Sequence, residues 1–207
     1  TNLYINNSGQ GSLVGSIDNV SVKEYATSNV PRIDYSNGCG SLLLEPQRTN
    51  LITESQDFST WIRLDSSAIS STIISPSGST DAYEIQGTGV NGRVQVPLTL
   101  TGTHTRSVFI KYAGSNLTVR IGSNLSGHEI TVNVASSGVT IDTVDNLVDS
   151  YSITEINNGW YRVTVTADDF SYFQIWTGIG NLYIWGAQVE AGSYATSYIP
   201  TSGTTVT

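Results

Sequence analysis

Asn181-Leu182-Tyr183-Ile184-Trp185-Gly186-Ala187-Gln188-Val189-Glu190 reads as a β-strand. Side chains alternate between faces along a strand. Tyr183, Trp185, Ala187 and Val189 are therefore expected on one face, and Leu182, Ile184, Gly186 and Gln188 on the other. Both faces begin apolar, which predicts a central strand. The tail continues through Tyr194-Ala195-Thr196-Ser197-Tyr198-Ile199-Pro200. A shorter copy of the pattern stands near the start, where Ile17-Asp18-Asn19-Val20-Ser21-Val22 leads into Tyr25-Ala26-Thr27-Ser28-Asn29-Val30-Pro31. The recurrence predicts the end of one module followed by a complete second one.

Working outward, residues 1–25 read as a terminal strand pair of a preceding similar module. Residues 26–49 read as an ordered connector, with turns at Pro31 and Asn37-Gly38. From Asn50 onward, strands recur near residues 60–64, 69–75, 81–87, 92–98, 105–113, 117–122, 128–134, 151–156, 160–168, 171–176 and 181–190. Turn residues such as Asn91-Gly92, Ser136-Ser137-Gly138 and Asn157-Asn158-Gly159 separate them. Helical periodicity of useful length is absent. Many short alternating strands predict an all-β sandwich or barrel over residues 50–207.

Composition narrows the function classes. The 207 residues carry 9 Lys and Arg against 17 Asp and Glu, a formal net charge of −8. Nucleic-acid affinity rests on Lys and Arg neutralising phosphates, so that partner is not expected. No apolar run is long enough to span a membrane as a helix. The one cysteine, Cys39, cannot form an intrachain disulfide. With no methionine and Thr1 at its start, the chain is expected to be a piece of a longer polypeptide. Its polar, sparsely charged composition suits an extracellular, secreted or virion-surface protein.

Several motifs resemble jelly-roll carbohydrate-binding modules. Asn50-Leu51-Ile52-Thr53-Glu54-Ser55-Gln56-Asp57-Phe58-Ser59-Thr60-Trp61 looks like their opening strand, and Ile17-Asp18-Asn19-Val20-Ser21-Val22 like their closing strand. Asn158-Gly159-Trp160-Tyr161-Arg162-Val163 and the stretch from Leu182 to Glu190 resemble a version common in bacteriophage tail-fibre and other structural proteins, as does the tail through Thr201. The resemblance implies a two-sheet antiparallel jelly-roll β-sandwich. Modules of this class often carry a structural calcium, held partly by an acidic residue near the first strand and one in the last. Asp57 fits the first role. Trp185-Gly186 departs from the acidic pattern of the last strand, where Asp18 stands in the earlier copy. No cofactor is required by the resemblance, and calcium is the one candidate.

Catalysis is not expected. A jelly-roll glycosidase needs two carboxylates flanking the scissile bond, and no Glu is followed by Asp two positions later, as a common glucanase strand requires. Sugar binding is better matched. Sugar rings offer apolar C–H faces to aromatic side chains and hydroxyls to planar polar groups. The residues read as outward-facing include Trp176, Tyr172, Gln174, Arg162 and Trp160, with Arg120, Lys111 and Arg93 adding positive charge. All of these but Arg93 are the candidate carbohydrate-binding residues, and the positive charge points to an anionic polysaccharide or cell-surface glycan. A structural plug at a strand start is the competing role for Trp160. Trp61 and Trp185 are expected in the core. The alternative function is a tail-fibre or other virion structural module without a sugar site, expected to assemble as a homo-oligomer, a trimer if part of a fibre.

Overall fold

The computed structural model describes residues 32–34, 41–43, 45–123, 127–168 and 170–207. The chain divides into two compact units, Thr1–Leu42 and Leu43–Thr207. Strands β1 (Arg32–Asp34) and β2 (Ser41–Leu43) pair as a two-stranded sheet. The strand pair expected over residues 1–25 lies outside the described residues. Residues 45–49, read from sequence as connector, belong to the second unit. Glu45 Oε1 accepts the Ser197 N–H at 2.9 Å, Arg48 Nη1 donates to Ala191 O, and the Thr49 and Thr207 hydroxyls meet at 2.5 Å.

The second unit is a two-sheet antiparallel β-sandwich. Its front sheet contains β3 (Ile62–Leu64), β6 (Arg93–Leu100), β8 (Leu117–Gly122), β9 (Glu129–Ala135), β10 (Gly138–Val144) and β13 (Phe170–Trp176), in the order β10-β9-β8-β13-β6-β3. Its back sheet contains β4 (Ser66–Ser70), β5 (Tyr83–Gly87), β7 (His104–Tyr112), β11 (Val148–Glu155), β12 (Trp160–Ala167) and β14 (Gly180–Ala191), in the order β11-β12-β7-β14-β5-β4. The chain changes sheet between β3 and β4, β5 and β6, β6 and β7, β7 and β8, β10 and β11, β12 and β13, and β13 and β14. That alternation sets β5-β14-β7-β12 against β6-β13-β8-β9, the jelly-roll order. Among the described residues there is no α-helix; Phe58–Thr60 forms one 3-10 turn.

The core lies between the sheets and follows the sequence alternation. Val108, Ile110, Val163 and Val165 of the back sheet join Val94, Val119, Ile121, Phe173 and Ile175 of the front sheet in one buried cluster. Burying a side chain of this kind contributes roughly 1.5–3 kcal/mol. Arg106 also stands on the inner face, in register with Val165 and Val189. It is fully buried and its Nη1 donates to His128 O at 3.2 Å. Burial lowers its pKa to about 10, which still leaves it charged at neutral pH.

The expected faces of β14 need correction. Leu182, Ile184, Ala187 and Val189 all enter the core, whereas Tyr183 and Trp185 pack with Phe109 and Trp160 on the outer side of the back sheet. The pairing of β14 with β7 slips between Trp185 and Gln188. A bulge inserts an extra residue and shifts the alternation by one. Gly186 occupies it at φ +62°, a conformation that glycine adopts without penalty.

The outer side of the back sheet is roofed by the chain itself. Tyr198 lies on Trp185 at a ring separation of 4.6 Å, and its hydroxyl meets Ser55 Oγ at 2.6 Å. Burial pushes its phenol pKa well up. Gln188 Oε1 accepts the Ile199 N–H at 2.7 Å, and the buried Glu190 accepts the Thr196 N–H at 2.9 Å. These bonds account for the seating of the tail after β14: its backbone N–H groups satisfy the outward Gln188 and Glu190, and Tyr198 covers the outward Trp185.

Candidate functional site

The outer face of the front sheet is open in part: Arg93, Gln95, Arg120, Tyr172 and Trp176 are half-buried there and Gln174 is buried. Residues opposite one another on neighbouring strands share a face, so the register defines rows. Arg93, Trp176 and Arg120 stand in one row, continued by Leu64 at one end and Thr131 at the other. Gln95, Gln174, Gly122 and Glu129 form the next row, with Ile62 beside Gln95. Tyr172 stands opposite Pro97. A depression of about 190 Å³, lined in part by Thr53, Glu54, Trp61, Ile62, Gln95 and Pro97, borders this face. Small-molecule sites usually enclose about 300–1,000 Å³. A shallow face of this kind is better matched to an extended chain.

The seven residues expected to bind sugar do not form one surface. Trp176, Tyr172, Gln174 and Arg120 do lie together, on the front sheet. Trp160, Arg162 and Lys111 belong to the back sheet, on the other side of the sandwich. Trp160 is 1% exposed and its indole N–H donates to Ile74 O at 2.9 Å. Arg162 is held under the tail, with Nη1 donating to Thr196 O at 2.7 Å and Nη2 to Ser107 Oγ at 2.9 Å. Both therefore have structural work on the covered face, and Lys111 stands half-buried in register with Trp160. Arg93 and Gln95, outward by alternation, complete the front group. Glu129, Ile62 and Pro97 border it without having been singled out from sequence. Their signal is cross-strand register, which the order of residues alone does not reveal.

Trp176 organises the group. The Arg120 Cζ lies 3.6 Å from the indole ring centroid and the Arg93 Cζ lies 4.5 Å from it. The two arginines arrive from the strands on either side of β13. The indole N–H donates to Val90 O at 3.0 Å, fixing the ring against the β5–β6 loop. Cation–π contacts of this kind contribute about 0.5–1 kcal/mol each at exposed sites, and here they also aim the guanidiniums. Arg120 Nη1 donates to Glu129 Oε1 at 3.0 Å. Burial raises the Glu129 pKa, Asp145 adds to the rise, and the charge of Arg120 opposes it. Arg93 instead bonds neutral oxygens, Gln95 Oε1 at 3.0 Å and Asn91 O at 3.2 Å. Gln174 is buried, and its Nε2 donates to Ser123 O at 2.8 Å.

Asp57, the carboxylate matched to a calcium role, caps the 3-10 turn. Its Oδ1 accepts from Ser59 N–H at 3.0 Å, Ser59 Oγ at 2.5 Å and Tyr83 Oη at 2.8 Å. Among the described residues, no three His, Cys, Asp or Glu side chains gather as a metal-ligand group. The Ser59 and Tyr83 hydroxyls lower the Asp57 pKa. A depressed carboxylate stabilises the fold above its unfolded pKa, about 3.9, and that contribution is lost as pH falls through the folded value. Asp57→Asn is therefore expected to be less stable than the native chain at neutral pH, by about 1 kcal/mol. The gap should close below the ordinary aspartate range. Urea unfolding of both proteins at neutral pH and at about pH 2.5 measures it.

No family model matches the chain, and a search of curated proteins finds no match.

Proposed function

We propose that this protein is a non-catalytic carbohydrate-binding module that lays a polysaccharide or surface glycan across the outer face of its front sheet. The setting that suits it is extracellular, as a displayed module of a secreted polysaccharide-degrading protein or of a phage fibre. The observation that supports the reading is the row Arg93–Trp176–Arg120 beside Gln95. It places a braced aromatic, a planar amide and guanidiniums on one partly open face. Sugar hydroxyls and ring C–H groups call for these groups together. On the back sheet, by contrast, Phe109, Trp160 and Trp185 are buried.

Affinity gel electrophoresis against a panel of neutral and acidic polysaccharides tests the proposal. Retention by at least one polymer is expected, with Trp176→Ala weakening it about ten-fold or more while the fold survives. Lys111→Ala, on the opposite sheet, should bind as the native chain does. Absence of retention by every polymer, together with a stable homotrimer, would replace this reading with that of a virion structural module.

A further inference from the structure

We infer that the ligand is an acidic polysaccharide and that Arg93 receives its oxyanion, a uronate carboxylate or a sulfate ester. This inference rests on the sugar-binding reading and names the ligand class for the same face. Three observations carry it. First, the two guanidiniums of the row are not equivalent. Arg120 is already paired with Glu129, whereas the hydrogen bonds of Arg93 go to the side-chain oxygen of Gln95 and the main-chain oxygen of Asn91. Among the described residues Arg120–Glu129 is the only ion pair, so the charge of Arg93 has no carboxylate set against it. Second, both guanidiniums stack on Trp176. A neutral sugar ring seeking that indole has to displace one of them, whereas an anion is met by the arginine as it stands. Third, the fork of Arg93 is oriented before a ligand arrives, by the indole beneath it and by Gln95 beside it. A planar guanidinium fixed in this way matches a two-oxygen anion with little further loss of freedom.

The chain's net charge of −8 sharpens the selection. Polyanions are repelled at long range, so only those whose anionic groups fall on the row gain enough local contact to bind. Neighbouring strands lie roughly 4.8 Å apart, which separates the backbones carrying Arg93 and Arg120 by roughly twice that distance. Arg120 stays with Glu129, one anionic group of the polymer meets Arg93, and Gln95 and Tyr172 are left for hydroxyls and ring faces.

The test compares retention of polygalacturonate and alginate with their carboxyl-reduced counterparts, and of a sulfated galactan with its desulfated form. The intact protein, Arg93→Gln and Arg93→Lys are run side by side, with thermal melts confirming folding. At least one acidic polymer is expected to bind while its neutralised form does not. Arg93→Gln should weaken binding about ten- to hundred-fold, and Arg93→Lys, which keeps the charge but loses the fork, should fall between. Retention confined to the uronates assigns a carboxylate; retention confined to the galactan assigns a sulfate. Equal retention of acidic and neutralised polymers would overturn the inference and leave the sugar-binding reading intact. Acidic binding unchanged in a folded Arg93→Gln would remove Arg93 from the site. Failure to retain any acidic or neutralised polymer would overturn the inference and weigh against the sugar-binding reading itself.

Discussion

Asn50→Ala is expected to lower the unfolding free energy by about 3–5 kcal/mol, because buried groups that lose their partners cost about 1–3 kcal/mol each. Asn50 is completely buried. Its Oδ1 accepts from the Ile52 and Val189 N–H groups, both at 3.1 Å, and its Nδ2 donates to Ala187 O at 3.1 Å and Ile199 O at 2.8 Å. One carboxamide thus ties the entry of the sandwich, the strand after the β14 bulge, and the tail. Alanine leaves no partner at any of these four bonds. Aspartate retains the acceptors but turns a charged oxygen toward two carbonyl oxygens, so Asn50→Asp should be at least as damaging. For a chain of this size the alanine variant should melt on the order of 10 °C lower. A shift within 2 °C would mean that the tail is not held through Asn50.

Trp160→Ala is expected to cost about 3–5 kcal/mol, the usual range for emptying a buried tryptophan site. The indole packs with Ala82, Phe109 and Trp185 and gives its N–H to Ile74 O. Its removal opens a cavity beneath the 71–82 segment and orphans that carbonyl. Trp176→Ala, by contrast, removes a half-exposed ring whose principal contacts are two guanidiniums, so about 1–2 kcal/mol is expected. Thermal melts of the two variants separate the roles: Trp160 should matter for stability, and Trp176 for ligand retention. Comparable losses of stability would erase the distinction between a covered face and an open one.

Much of the architecture was legible because alternation reports burial directly. Val108 and Ile110, Val163 and Val165, and Phe173 and Ile175 all enter the core as the pattern requires. Strand β10 was missed. It is an edge strand with only Val139 buried, so its residues follow the demands of solvent rather than those of a core. The bulge in β14 was missed for a different reason. Gly186 fits either register in one dimension, and only the pairing with β7 shows the slip. The site was legible in composition but not in placement. Trp160-Tyr161-Arg162 and Tyr172-Phe173-Gln174-Ile175-Trp176 both put polar and aromatic residues outward. Alternation says which way a side chain points, but not which sheet carries it or whether a distant segment covers it. The segment covering Arg162 and Trp185 contains Thr196 and Tyr198, and the one over Trp160 contains Ile74. Neither association is visible from local spacing.

The most direct measurement of the central claim follows the four indole N–H signals, from Trp61, Trp160, Trp176 and Trp185, by nuclear magnetic resonance during titration with acidic oligosaccharides. Single substitutions assign the signals. The front-face site predicts that the Trp176 signal moves saturably while the other three stay in place. Movement of Trp160 or Trp185 with Trp176 unchanged would place the ligand on the back sheet and contradict it, as would four signals that never move.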